Sequence, residues 1–131
     1  RLSQYVRTDK LSRRAFFKEM AQSKVIVSPF GLGEITLKDF EIFICGGLML
    51  KPDMSHMETF PDFFQPGITM VSHKWNLSDL ESKIEEILSN DELRIQIATA
   101  GQELYRKHVA TEEGHQIFSE RFKKIVQSAL S

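Results

Sequence analysis

Cys45 is the only cysteine in 131 residues. No internal disulfide can form, and no CxxC or Cys–His spacing offers a metal framework. That usage favours a reducing compartment, so the expected location is the cytoplasm or the periphery of its membrane. Long apolar runs are also missing. The best of them, Ile42 to Leu50, closes at Lys51 and Pro52, well short of the roughly 20 residues that span a bilayer, and no transmembrane segment is expected. Familiar signatures are absent too. No GKS or GKT follows a glycine loop, Thr36 stands where a dinucleotide fingerprint needs its third glycine, and no serine occupies a GxSxG elbow. ATP-type P-loops, NAD-type fingerprints and nucleophilic triads are disfavoured.

What is present fits one folded domain. The chain is 41% hydrophobic and 27% charged, enough apolar material for a core of its own. The net charge of -1 covers an asymmetry: residues 1–24 hold seven Lys/Arg against two acids, while residues 76–131 hold seven against ten. The basic stretch is short and lacks interleaved stacking aromatics, and Arg13, Arg14 and Lys18 suit the solvated face of a helix whose other face is Leu11, Ala15, Phe16 and Met20. No nucleic-acid partner is expected. Since the sequence opens on Arg1, it is expected to be a piece of a longer polypeptide.

The patterning predicts a leading helix within residues 1–22, capped by Asp9 or Ser12, then a βαβ core over 23–75 and helices over 76–131. Lys24 to Ser28 is a short β-branched run of the kind that is buried on both faces. SPFGLGE follows as a glycine-bearing turn, then a helix through ITLKDFEIFIC that stops at Gly46 and Gly47. Leu48 to Leu50 and Ile68 to His73 read as further strands, separated by a long loop over 51–67. Ser78 with Glu81 reads as a capping box before a face of Leu80, Ile84, Ile87 and Leu88. A second helix starts near Asn90 with Leu93, Ile97, Leu104 and His108 on one stripe. After a break at Ala110 and Thr111, a last helix carries Ile117, Phe118, Phe122, Ile125, Val126 and Leu130 on its apolar side. The fold class is α/β: a Rossmann-like, three-layer, parallel-sheet half-domain with trailing C-terminal helices. Three strands are few for a free-standing sheet of this kind, so earlier βα units are expected to be missing and a sheet edge to be exposed.

The segment from Ser28 to Pro52 carries the chemistry. Gly31 and Gly33 stand after a strand and before a helix, where backbone amides and the positive end of the helix dipole suit an anion such as a diphosphate. They can equally serve a tight βα turn. Glu34 and Glu41, seven apart, are expected on one helical face, where a carboxylate can accept hydrogen bonds from vicinal ribose hydroxyls. Lys51 and His56 follow the second strand, at the end where open α/β sheets bind ligands, and are candidates for phosphate or sugar contacts. Phe60, Phe63 and Phe64 either wall a ligand or pack on the domain. Asp53, Glu58, Asp62 and His56 lack metal-site spacing, and no metal is expected.

SPFGLGEITLKDFEIFICGGLMLKPD resembles the donor-binding segment of GT-B fold glycosyltransferases, in which a strand, a glycine loop and a helix bearing a glutamate pair precede an ACG-like helix end and a strand. The likeness extends through PGITMV and DLESKIEEILSNDELRIQIATAGQELYRKH, about 100 residues from Ser23 onward. It implies a nucleotide-sugar-binding C-terminal lobe, with Gly31 and Gly33 in the donor loop and Glu41 as the second, ribose-binding glutamate. Six residues separate Glu34 from Glu41, where the family has seven. The implied reaction transfers a sugar from a nucleoside diphosphate donor, as a substrate and with no cofactor, to a hydroxyl of a sugar, lipid or protein acceptor. An N-terminal lobe would complete the enzyme and supply the catalytic residues, none of which is assigned to this chain. The rival reading is a non-catalytic α/β interaction module or a degenerate transferase lobe.

Overall fold

Short β-branched and aliphatic runs, set apart by a helix or a long loop, leave parallel pairing as the way to bury both strand faces. A computed structural model describes residues 9–131; the part of the leading segment over 1–8 lies outside the described residues. Helix α1 (Arg13–Gln22) is capped by Ser12, whose hydroxyl accepts from the Ala15 amide at 3.3 Å. Strand β1 (Val25–Val27), helix α2 (Leu37–Cys45) and strand β2 (Leu48–Pro52) form the βαβ unit, and β3 (Val71–His73) completes a parallel sheet in the order β1-β2-β3. Val25 lies opposite Leu48, and Leu50 opposite Val71. Three helices follow: α3 (Leu80–Ser89), α4 (Asp91–Val109) and α5 (Glu112–Leu130).

Strand alternation divides the core in two. Val25, Val27, Leu48, Leu50 and Val71 face α3 and the first half of α4, meeting Ile87, Ile97 and Ala98. Ile26 and Met49 face the other way, toward Met20 of α1, Ile42 and Phe43 of α2, and Leu104 and Tyr105 late in α4. Helices therefore cover both faces in the Rossmann-like, three-layer arrangement the patterning predicts. Helix α4 can pass from one core to the other because Gly101 lets it close on α2 and on the turn before β3. A Cβ there would stand 2.8 Å from the Thr69 carbonyl oxygen and 2.9 Å from the Phe43 ring.

The loop between β2 and β3 is folded in its own right. Thr69 Oγ1 donates to the Phe63 carbonyl at 2.6 Å and accepts from the Gln65 amide at 2.9 Å. Phe63 and Phe64 are buried against Phe43, so these two belong to the core. Phe60 stays 44% exposed, with the Arg121 guanidinium 5.5 Å from its ring.

Five local expectations are corrected. Helix α2 begins only at Leu37, so Glu34 precedes it and the shared helical face with Glu41 does not exist. Strand β2 runs two residues past Leu50, and β3 starts at Val71 because Gly67 to Thr69 form a turn and Met70 makes only an isolated bridge with Pro66. The Ser78–Glu81 box is not formed: the N-cap is Asp79, whose carboxylate accepts from the Lys74 amide at 2.8 Å, after Leu77 takes a left-handed φ of 62°. Leu88 is 46% exposed, off the face that Ile87 buries. The apolar side of α5 is real but uncovered, with Phe122 58% and Leu130 84% exposed.

Candidate functional site

Beneath the loops at the carboxyl ends of the strands lies a buried ion pair. Lys51 follows Met49 on the α2 side of β2, so strand alternation turns its side chain inward. Its ammonium meets Asp39 at 3.0 and 3.1 Å, and both side chains are 0% exposed. Asp39 is the third residue of α2. Its carboxylate also accepts from Ser28 Oγ at 2.6 Å and from the Thr36 amide at 2.8 Å, capping the helix from within. Lys51 completes its surroundings with the rings of Phe30 (5.3 Å) and Phe64 (5.9 Å). Such a pair holds because every charge is matched by hydrogen bonds. Expected as a phosphate contact, Lys51 instead sits in the wall behind the loop, joining β2 to the start of α2.

Lys38, beside Asp39, donates to the Val27 carbonyl at 2.6 Å. Half-burial draws its pKa below the usual lysine value, the Asp39 carboxylate works against that shift, and the Lys51 charge adds to it.

Above the pair runs the loop from Phe30 to Thr36. Gly31 and Gly33 are exposed, and neither has the positive φ that would call for glycine. A Cβ at Gly33 would meet nothing within 4 Å, and one at Gly31 only the Thr36 methyl at 3.6 Å. The fold itself has room for side chains here. The other glycines differ: Gly46 and Gly67 have φ of 69° and 77°, Gly47 would place a Cβ 2.5 Å from Ile26 Cδ1, and Gly101 and Gly114 lie against backbone carbonyls. The next amides along, of Leu37 and Lys38, occupy the first positions of α2, where no intrahelical acceptor exists.

The structure brings Glu34 and His56 together, with Oε1 and Nε2 3.5 Å apart and the two side chains 42% and 38% exposed. At that exposure the pair adds little stability. Phe30 and Trp75 complete the cluster. The His56 ring lies 5.1 Å from the Trp75 ring and 6.3 Å from Phe30, and Phe30 lies 5.7 Å from Trp75. Glu41 stands apart on the second turn of α2, half-buried and without a hydrogen bond or ion pair among the described residues. Its charge, after burial, is what raises the pKa of Cys45 one turn on. Among the described residues no three His, Cys, Asp or Glu side chains gather at metal-binding distance.

The site thus holds Gly31, Gly33, Glu34 and His56 at one rim, and Lys51 below it. Sequence reasoning missed Asp39, Phe30 and Trp75. Thr36 with Asp39 has the T-x-x-D spacing of a capping box, which could have been found. Trp75 is the chain's one tryptophan and stands two residues after β3.

Parallel strands with helices on both faces, and a glycine loop running into a helix at their carboxyl ends, define a Rossmann-like α/β domain. The chain belongs to the glycosyl transferase-like family, whose model matches residues 4–118. It is therefore a domain of the glycosyl-transfer kind. A comparison with curated proteins finds no match. Among the described residues no helix is long and apolar enough to cross a membrane.

Proposed function

We propose that the domain binds the donor of a glycosyl transfer, a nucleoside diphosphate sugar, over the loop from Phe30 to Thr36. The observation that carries this reading is the pair of glycines the fold does not require. Gly31 and Gly33 put no side chain over the loop, and with the Gly31 amide turned to the Gly33 carbonyl at 3.0 Å an approaching anion meets the amides from Leu32 to Ile35. The diphosphate lies against those amides and the first turn of α2. Glu41, whose carboxylate has no partner among the described residues, accepts from the ribose hydroxyls. Glu34 and His56 line the rim, His56 as a donor to a phosphate or sugar oxygen.

Catalysis in this reading is electrostatic: backbone amides and the helix dipole stabilise the leaving diphosphate while the protein holds the sugar in place. The acceptor, a sugar, lipid or protein hydroxyl, and any general base belong to a second lobe outside these residues. Calorimetric titration with UDP, GDP and ADP tests the reading. Saturable binding of at least one, weakened tenfold or more by Glu41→Ala, supports it. Absence of binding, or binding indifferent to Glu41→Ala, favours the rival of a non-catalytic interaction module or a degenerate lobe.

A further inference from the structure

The loops leaving the three strands each contribute one ring to a single cluster: Phe30 after β1, His56 after β2 and Trp75 after β3. Trp75 is the unusual member. Its indole N–H donates to the Asp53 carbonyl at 2.8 Å, tying the loop after β3 to the loop after β2. His56 and Phe30 meet it nearly at right angles, with interplanar angles of 79° and 85°. The ring is still 61% exposed. With its one polar atom already satisfied by the protein, the surface it presents to solvent is apolar. Rotation away from water would break the Asp53 bond and both ring contacts.

We infer that Trp75 is a stacking wall for one ring of the bound nucleotide sugar, either the flat ring of its base or the C–H face of its sugar. This rests on the donor reading above and names a determinant of ring recognition within it. A ring held by one hydrogen bond and two edge contacts is pre-organised, so stacking costs little conformational entropy. Base and sugar rings each offer an apolar face to an indole, and base–aromatic stacking tolerates many bases. His56, edge-on to Trp75 and 3.5 Å from Glu34, couples the wall to the polar rim. Exposed Leu32 on the loop and Leu37 at the start of α2 lack any such anchor and offer only aliphatic surface.

Because Trp75 is the only tryptophan in the 131 residues, tryptophan fluorescence, excited selectively over the two tyrosines, reports on this ring alone. The chain is titrated with UDP, GDP and ADP, and separately with UDP-glucose, GDP-mannose and ADP-glucose, by calorimetry and by tryptophan emission in parallel. The expected result is quenching or a spectral shift that saturates together with the calorimetric signal. A change already produced by the diphosphate assigns the base to Trp75, and one that appears only with the nucleotide sugar assigns the sugar. Trp75→Leu weakens the same binding about tenfold, in line with loss of one stacking contact, whereas Trp75→Phe, which keeps a flat ring, retains most of it. Melting curves identify any variant that does not fold, in which case the emission of the unaltered chain decides. Calorimetric binding with silent emission, unmoved by Trp75→Leu, overturns the stacking wall and leaves the donor reading intact. Failure of all six probes to bind removes the donor reading and the wall with it.

Discussion

Replacing Gly33 with alanine separates what the fold needs from what a ligand needs. A Cβ at this exposed position meets nothing within 4 Å, and the backbone there does not adopt positive φ. The unfolded chain loses freedom while the folded chain loses no contact, so Gly33→Ala stabilises the domain by about 0.4–1 kcal/mol. For a domain of this size that raises the melting temperature by about 1–5 °C. The ligand meets the opposite effect. A methyl group over the loop keeps an oxyanion from the amides, and losing even one hydrogen bond to a charged group costs about 1.5–3 kcal/mol. Affinity for a nucleoside diphosphate therefore falls at least about tenfold. Thermal denaturation and calorimetry on the same preparation read the two signs. Gly101→Ala is the control of opposite character: its Cβ would press on the Thr69 carbonyl and the Phe43 ring, and such overpacking costs about 1–3 kcal/mol. Should Gly33→Ala lower the melting temperature by several degrees, the fold needs that glycine after all. Should it leave nucleotide affinity unchanged, the bare loop is not where the anion lies.

Lys51→Met leaves Asp39 charged and enclosed, and a destabilisation of about 3–5 kcal/mol is expected in urea denaturation. The double variant Asp39→Asn with Lys51→Met recovers part of this loss, and no recovery would show that the ion pair is not the cause. Lys38, with its pKa depressed by burial, binds fewer protons folded than unfolded between that depressed value and 10.5, so its contribution to stability rises with pH across that window. NMR titration of its ammonium is expected to give a midpoint below 10.5, and a midpoint at or above it would contradict the burial argument. Phe122→Ser, on the uncovered side of α5, is expected to change unfolding free energy by less than about 1 kcal/mol, and a larger loss would mean that this side is buried in solution.

Periodicity carried most of the fold. The strand at Val25, the glycine stop of α2, the Asn90 cap of α4 and the break at Ala110 and Thr111 all answer to local chemistry that is visible in the residues. Boundaries failed where tertiary bonds decide them. Asp79 is drawn from capping α3 by the Lys74 amide, and Thr69 bends the stretch before β3. The site was legible as a place more than as a set of contacts. Glu34 and His56 were each singled out, but only the packing of two loops shows that they meet. Lys51 misled because its role depends on strand length: with β2 ending at Leu50 it would open a loop, whereas with β2 reaching Pro52 it lies on a buried face opposite an aspartate twelve residues earlier.

That buried pair also bears on how a diphosphate could be held. Asp39 places a carboxylate at the start of α2, where it would repel an incoming phosphate, and Lys51 cancels that charge from below. The charge remaining around the loop is slightly negative: Lys38 is positive, Glu34 at the rim and Glu41 on the second turn of α2 are negative, and His56 lies 3.5 Å from Glu34. A dianionic ligand would then be gripped chiefly by backbone amides and the helix terminus, whose attraction is short-ranged and modest. Two consequences follow for the donor reading. Nucleoside diphosphate binding by this chain should be weak and should respond little to salt, because few mobile cations are involved. A tight, strongly salt-dependent complex would instead require arginine or lysine side chains near the phosphates that the described residues do not place there, and would send the search for the phosphate site elsewhere on the protein.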